Sequence, residues 1–162
     1  MSAHPVLTLA DLKHWSFNGT ALAVLGHPIG HSLSPAMHTA ALKQQAKKAK
    51  AYATWTYFRF DVPPADLGKA LKALHQAKFH GINLTVPHKV LAVSMVSKID
   101  PAARAIAAVN TLRFTKSGYH GFNTYGYGLA AAIWQSMKLR MKGRDVILLG
   151  AGGAARGAAV EA

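Results

Sequence analysis

Short apolar runs that stop at glycine or proline, each followed by a stretch with helical spacing, constrain this chain more than any other feature. Residues 21–25 form such a run and end at Gly26-His27-Pro28, which suits a buried strand feeding a loop. A helix is expected next, with Ser34 as N-cap, Pro35 at the first helical position, and Met37, Ala40 and Ala41 at helical spacing. Residues 52–62, rich in Tyr, Trp, Thr and Phe and closed by Pro63-Pro64, read as a second strand. From about Ala65 a helix carries Leu67, Leu71 and Leu74 as its apolar stripe, with Gly81 placed to end it before a strand at 82–85. Pro87 opens a helix with Val90, Leu91 and Val93, and Pro101 starts a short alanine-rich one running toward Val109. Strands alternating with helices predict an α/β fold, a mainly parallel sheet flanked by helices.

The pattern then changes. Residues 111–114 and 119–122 flank Thr115-Lys116-Ser117-Gly118, a hairpin-like turn. A long helix is expected over about 125–138, and residues 145–149 read as an apolar strand running into Gly150-Ala151-Gly152-Gly153-Ala154-Ala155. Glycines that follow a strand and open a helix suit a dinucleotide. Gly150 permits the tight turn, Gly152 lets backbone approach a pyrophosphate, and Ala155 takes the third, packing position. These elements predict the first strand, turn and helix of a Rossmann domain. The organisation expected is a ligand-binding domain over 1–118 and the beginning of a nucleotide domain over 119–162. The residue that would read the ribose lies ~20 positions further on, so the motif alone does not choose between NAD and NADP. The chain ends inside the helix after the glycines, as expected of a fragment.

Composition excludes several classes. There are 19 Lys and Arg against 6 Asp and Glu, a net charge of +13, yet charged residues make up only 15% of the chain. The imbalance comes from missing acids rather than from a lysine- and arginine-saturated surface, so no nucleic acid is expected. The cluster Lys43, Lys47, Lys48 and Lys50 falls where a helix should end, where cations complement its negative pole. No apolar run is long enough to span a membrane, and a cytoplasmic protein is the natural reading. The 162 residues contain no cysteine, which removes disulfides and thiolate chemistry. Of His27, His31 and His38, the first two are four apart, but Pro28 and Gly30 break the helical geometry between them and no nearby carboxylate completes a site, so no metal is expected.

Two further segments carry chemistry. In Gly26 to Pro35, Ser32 and Ser34 are separated by one residue just before a helix, and both hydroxyls could face a ligand near its positive end. In Asn83-Leu84-Thr85-Val86-Pro87-His88-Lys89, a strand end meets a helix start, so Asn83, Thr85 and Lys89 should converge at the carboxyl edge of the sheet. Lys89 would sit in the first helical turn, where the positive pole disfavours an ammonium and suits it to proton transfer. Val109-Asn110-Thr111 and Asn123-Thr124 add polar pairs that also serve ordinary turns.

Taken in order from about residue 20 onward, these segments resemble the shikimate dehydrogenase family (shikimate/quinate dehydrogenases). The resemblance implies that Ser32, Ser34, Thr85 and Asn110 hold the hydroxyls and carboxylate of shikimate, with Asn83 and position 125 also lining the substrate. It implies that Lys89 is the catalytic acid/base, and that Gly150, Ala151, Gly152, Gly153 and Ala154 hold the pyrophosphate of NADP. The implied reaction is reversible NADPH-dependent reduction of 3-dehydroshikimate to shikimate, in chorismate and aromatic amino-acid biosynthesis, with a homodimer as the assembly it allows. Quinate/shikimate dehydrogenase is the enzymatic alternative, and a non-catalytic shikimate-binding module the other. One position departs from the pattern. After Asn123-Thr124 the family has an aspartate that pairs with the catalytic lysine, and here stands Tyr125. Asp11, Asp61, Asp66, Asp100, Asp145 and Glu161 all lie outside that motif. Impaired activity is the expectation.

Overall fold

The run at 21–25 becomes an interior strand of the sheet, with a neighbour on each side, because neither of its faces is polar. β1 (Thr20–Gly26) buries Ala21, Ala23 and Leu25 in the larger hydrophobic cluster and Val24 in a smaller one, the two-sided burial typical of a parallel strand. The computed structural model describes residues 5–161. After β1 come α1 (Ser34–Lys48), β2 (Trp55–Asp61), α2 (Leu67–Gln76), β3 (Gly81–Leu84), α3 (His88–Leu91), β4 (Lys98–Ile99) and α4 (Pro101–Ile106). The hairpin β5 (Thr111–Thr115) and β6 (Gly118–Phe122) precedes α5 (Tyr125–Met137) and α6 (Gly153–Glu161).

The sheet order is β2-β1-β3-β5-β6-β4. β1 pairs in parallel with both β2 and β3, and α1 and α2 are the crossovers that parallel neighbours require. β3–β5 and β5–β6 are antiparallel, and β4 returns parallel to β6. The hairpin turn needs Gly118, whose φ of 135° favours glycine and where a Cβ would lie 3.0 Å from that of Ser97. β6, placed by the expected boundary at 118 in the second domain, is hydrogen-bonded into this sheet.

α2 lays Leu67, Ala70, Leu71 and Leu74 on one face of the sheet, against Leu25, Phe60, Phe79, Leu84 and Leu112. Phe79 is the hub of an aromatic group, with ring centroids 5.0 Å from Trp15, 5.7 Å from Phe60 and 6.0 Å from Phe58. On the other face Val24, Ile29 and Tyr57 pack with Leu22 and Leu42 of α1. Among the described residues no helix is long and apolar enough to cross a membrane.

Four local expectations are corrected. Leu33 rather than Ser34 is the N-cap of α1; Ser34 is its first residue, and the Ser32 hydroxyl accepts the Ser34 N–H at 3.3 Å. Gly81 does not end α2. Lys78 does so in the left-handed conformation (φ 59°), with the Phe79 N–H returning to the Leu74 carbonyl at 3.0 Å, while Gly81 opens β3 where a Cβ would press on Leu22 at 3.1 Å. The strand of 52–62 starts only at Trp55, because Lys50–Thr54 coils into a 3-10 turn. Residues 145–149 form no strand: a strand needs a ladder, no partner strand lies beside them among the described residues, and Ile147 and Leu149 stand 89% and 97% exposed. The helix expected after the glycines does form, as α6. It lies against α5 so closely that a Cβ on Gly126 would meet the Gly157 carbonyl at 3.0 Å.

Phe79→Ala should lower the unfolding free energy by about 3–5 kcal/mol, the usual range for emptying a well-packed aromatic site. Urea unfolding of the two proteins checks it; a loss below about 1 kcal/mol would show that the aromatic group is not cooperative core.

Candidate functional site

Because β1 and β3 are parallel neighbours, the loops leaving their carboxyl ends emerge side by side. The first loop is held by the end of β2. Asp61 takes the His27 ring (Nδ1 to Oδ1, 2.6 Å) and the Ile29 N–H (3.4 Å), while Arg59 Nη1 donates to the Gly30 carbonyl at 2.6 Å. The second loop, after β3, is tied to the first by the His27 N–H bonding to the Val86 carbonyl at 3.1 Å.

Between them opens a cleft of about 190 Å³, lined by Val24, Ser34, His38, Asn83, Leu84, Thr85, Asn110 and Tyr125. Five of the expected site residues, Ser34, Asn83, Thr85, Asn110 and Tyr125, therefore share one cavity. Ser32 does not line it. The asparagines are largely committed to holding its walls. Asn83 Oδ1 accepts from the Tyr57 hydroxyl at 2.7 Å and its Nδ2 donates to Thr111 Oγ1 at 3.2 Å. Asn110 Oδ1 accepts from the Thr124 N–H and the Thr111 hydroxyl, both at 3.1 Å, and its Nδ2 donates to Thr124 Oγ1 at 2.9 Å. By contrast, the side chains of Ser34, Thr85 and His38 have no hydrogen-bond partner among the described residues.

Lys89 reaches the cleft through Tyr125. Its Nζ donates to the Tyr125 hydroxyl at 2.5 Å, and the tyrosine is fixed by Asn123, whose Oδ1 accepts the Tyr125 N–H at 3.0 Å. On its other side Lys89 lines a second, more apolar cavity of about 290 Å³ with Val86, Pro87, Val90, Gly152, Gly153 and Ala154. Gly150 and Ala151 stand outside that cavity. Gly150 has the left-handed φ of 121° expected of the tight turn, and a Cβ on Gly152 would meet nothing within 4 Å, so backbone there is open to approach.

The substrate-binding domain model of shikimate dehydrogenase matches residues 24–112. The chain belongs to this family. Among curated relatives, the NADP(+)-dependent shikimate dehydrogenase of Symbiobacterium thermophilum is 39% identical over 142 residues, which is 88% of this chain and 46% of the relative. A crystal structure of a shikimate dehydrogenase in complex with NADP+ is similar with a TM-score of 0.81 and 34% identity, covering 90% of this chain and 49% of that one. The Thermus thermophilus enzyme in complex with shikimate gives 0.76 and 38%, covering 88% and 51%. The chain thus spans about half the length of the curated relatives it matches.

Within this shikimate dehydrogenase substrate-binding domain, sequence reasoning missed Tyr57 and His38. Tyr57 is nearly buried beneath α1, its phenol pushed far above the usual value by burial, and His38 stacks flat on it with centroids 4.2 Å apart and planes 4° off parallel. The available signal was the i,i+4 spacing of Ser34 and His38, which puts both on one face of α1. The Tyr57 contact needed the β1–β2 register to be known. Burial also holds the His38 imidazole below its usual value.

His88 is the second electrostatic feature. It has no exposed surface and neither ring nitrogen has a hydrogen-bond partner. Burial holds its imidazole below the usual 6.5, opposed by the nearby Val62 backbone. The unfolded chain takes up this proton near pH 6.5 and the folded chain only at lower pH, so between the two the unfolded state binds more protons. Stability is therefore complete above about pH 6.5 and is lost as the pH falls from there toward the folded value. Thermal melts should show a lower Tm at about pH 5.5 than at about pH 7.5, and His88→Leu should shrink that difference. An unchanged difference would clear His88 of the effect.

Proposed function

We propose that this chain supplies the substrate-binding part, and the first elements of the nucleotide-binding part, of an NADP-dependent shikimate dehydrogenase that interconverts 3-dehydroshikimate and shikimate. The observation that carries the reading is that the Lys89–Tyr125 pair stands between two cavities, one rich in uncommitted hydroxyls and the other floored by the glycine turn. A reaction that takes a hydride from one ring carbon and a proton from the hydroxyl that carbon bears needs such a junction. The names of the relatives, which couple shikimate with NADP, support the same assignment. On this reading the junction between the two parts falls after β6, at Asn123-Thr124, since the sheet continues to Phe122.

The residues present fit the dinucleotide. Gly150 turns the chain, Gly152 is unobstructed, and α6 presents its amino end to the cavity, so Gly150 to Ala154 would hold the pyrophosphate. Bound there, the cofactor supplies the hydride donor and acceptor. The chain's own residues do the rest. Ser34 and Thr85 offer free hydroxyls to a polyhydroxylated acid, Asn83 and Asn110 keep the walls in place, and Ser32 secures the first turn of α1. Lys89 gives the proton to the carbonyl oxygen in reduction and takes it back in oxidation, with Tyr125 accepting its hydrogen bond and setting its direction.

The experiment joins this chain to the second half of a curated relative and follows NADP reduction by shikimate. Lys89→Ala should lower kcat ~10²–10⁴-fold while shikimate binding remains detectable. Near-parental turnover would mean that the proton is handled elsewhere. Tyr125→Asp should raise kcat/KM for shikimate by about tenfold or more, the ~1.4 kcal/mol of one recovered charged contact, since it aims the ammonium and removes a ring from the cleft. Equal turnover would show that the tyrosine is as good a partner for Lys89.

A further inference from the structure

His38 lines the cleft, its ring nitrogens hold no wall, and it lies outside the segments singled out above for the ligand. It lies one helical turn beyond Ser34 on α1, and both line the same cavity. Its ring is clamped face to face on Tyr57, centroids 4.2 Å apart and planes 4° off parallel. Tyr57 cannot turn away, because its hydroxyl is engaged with Asn83 Oδ1 at 2.7 Å and its ring is buried between α1 and β1. The imidazole plane is therefore held by a buried partner, the residue lines the cleft, and its ring nitrogens have no hydrogen-bond partner among the described residues.

Nearby amides do not offer what this ring offers. The Asn83 amide is spent on Tyr57, Thr111 and the Asn110 carbonyl, and both lone pairs of Asn110 Oδ1 are taken. Burial keeps the His38 ring neutral at physiological pH, and a neutral imidazole presents one donor and one acceptor. That pair matches an alcohol, which also donates once and accepts, better than it matches a carboxylate, which only accepts.

We propose that His38 contacts the ligand directly and selects for a ring hydroxyl on the bound acid, by exchanging a hydrogen bond with it across the cleft from Thr85. The proposal rests on the assignment of this cleft to a shikimate-like acid. His38 adds a requirement to that assignment: the hydroxylated edge of the ring lies toward the second turn of α1. An acid lacking that hydroxyl leaves the imidazole edge buried and unpaired, which is how such sites reject the deoxy analogue.

Calorimetry on this chain tests it, with shikimate and 1-cyclohexene-1-carboxylate, the same acid without its three hydroxyls, as probes. His38→Phe keeps a ring on Tyr57 and removes both nitrogens. It should weaken shikimate binding about tenfold and leave the affinity for the cyclohexene acid unchanged. His38→Gln, which retains a donor and an acceptor, should recover part of the loss and serves as well if the Phe variant melts early. In the unsubstituted chain, the ¹⁵N resonance of the imidazole, identified by its disappearance in His38→Phe, should shift on adding shikimate and not on adding the cyclohexene acid. Equal weakening of both probes, or a nitrogen resonance that ignores shikimate, overturns the role of His38 while leaving the cleft assignment intact. Failure of the unsubstituted chain to bind shikimate at all overturns both.

Discussion

A strand with no polar side leaves its chain few choices, and β1 is that strand. Because both of its faces are apolar, helices must cover both, and because both neighbours run parallel to it, each must be reached by a crossover. Those two facts send the carboxyl ends of β1, β2 and β3 to one edge of the sheet. The loop after β1 can then be pinned by Asp61 and Arg59 from the end of β2, and the loop after β3 can bond back to His27. The cleft is what remains between two loops that the sheet forbids to separate. Its position follows from burial of Ala21, Ala23 and Leu25 more than from the polar residues that line it.

Within that frame the polar residues divide into struts and free groups. An amide left unpaired in a partly buried wall is costly, and Asn83 and Asn110 each bond to neighbouring elements. Asn83 joins β2 to β5 across β3, and Asn110 joins the start of β5 to the start of α5. The hydroxyls of Ser34 and Thr85, smaller and nearer to water, can be left uncommitted at lower cost. A site built this way has rigid walls and a few donors and acceptors held ready, so that little ordering remains for the ligand to bring about.

Legibility in the sequence followed from how local each cause was. β1, the hairpin at Gly118, α2 and α5 rest on apolar spacing and turn chemistry within a few residues, and these could be read directly. Ser34 was read as a cap because serine before a proline usually is one, but the loop delivers Ser32 to that task instead. Gly81 looked like a helix stop. Lys78 takes the left-handed position at lower net cost because Phe79 is thereby delivered to the aromatic core. Residues 145–149 have the composition of a buried strand, yet composition supplies no ladder, and no neighbouring strand stands beside them among the described residues. The stack of His38 on Tyr57 joins residues on two different elements, and its existence depends on the register of β2 against β1, which no local pattern encodes.

The shortage of acids gains a meaning at Lys89. A carboxylate beside it would form an ion pair and cancel most of the field that the ammonium projects into the cleft. The Tyr125 phenol accepts a hydrogen bond without adding charge, and among the described residues no carboxylate is paired with Lys89, so no ion pair cancels its charge. At ordinary ionic strength such a field reaches ~8–10 Å before it is screened. An anionic ligand is thereby attracted to either side of the lysine, and the net charge of +13 spread over the rest of the chain reinforces the attraction at longer range. Charge of this kind draws ligands in without orienting them. Orientation has to come from the neutral groups, whose hydrogen bonds depend steeply on direction, and the cleft supplies those from α1, β3 and the loop that follows it.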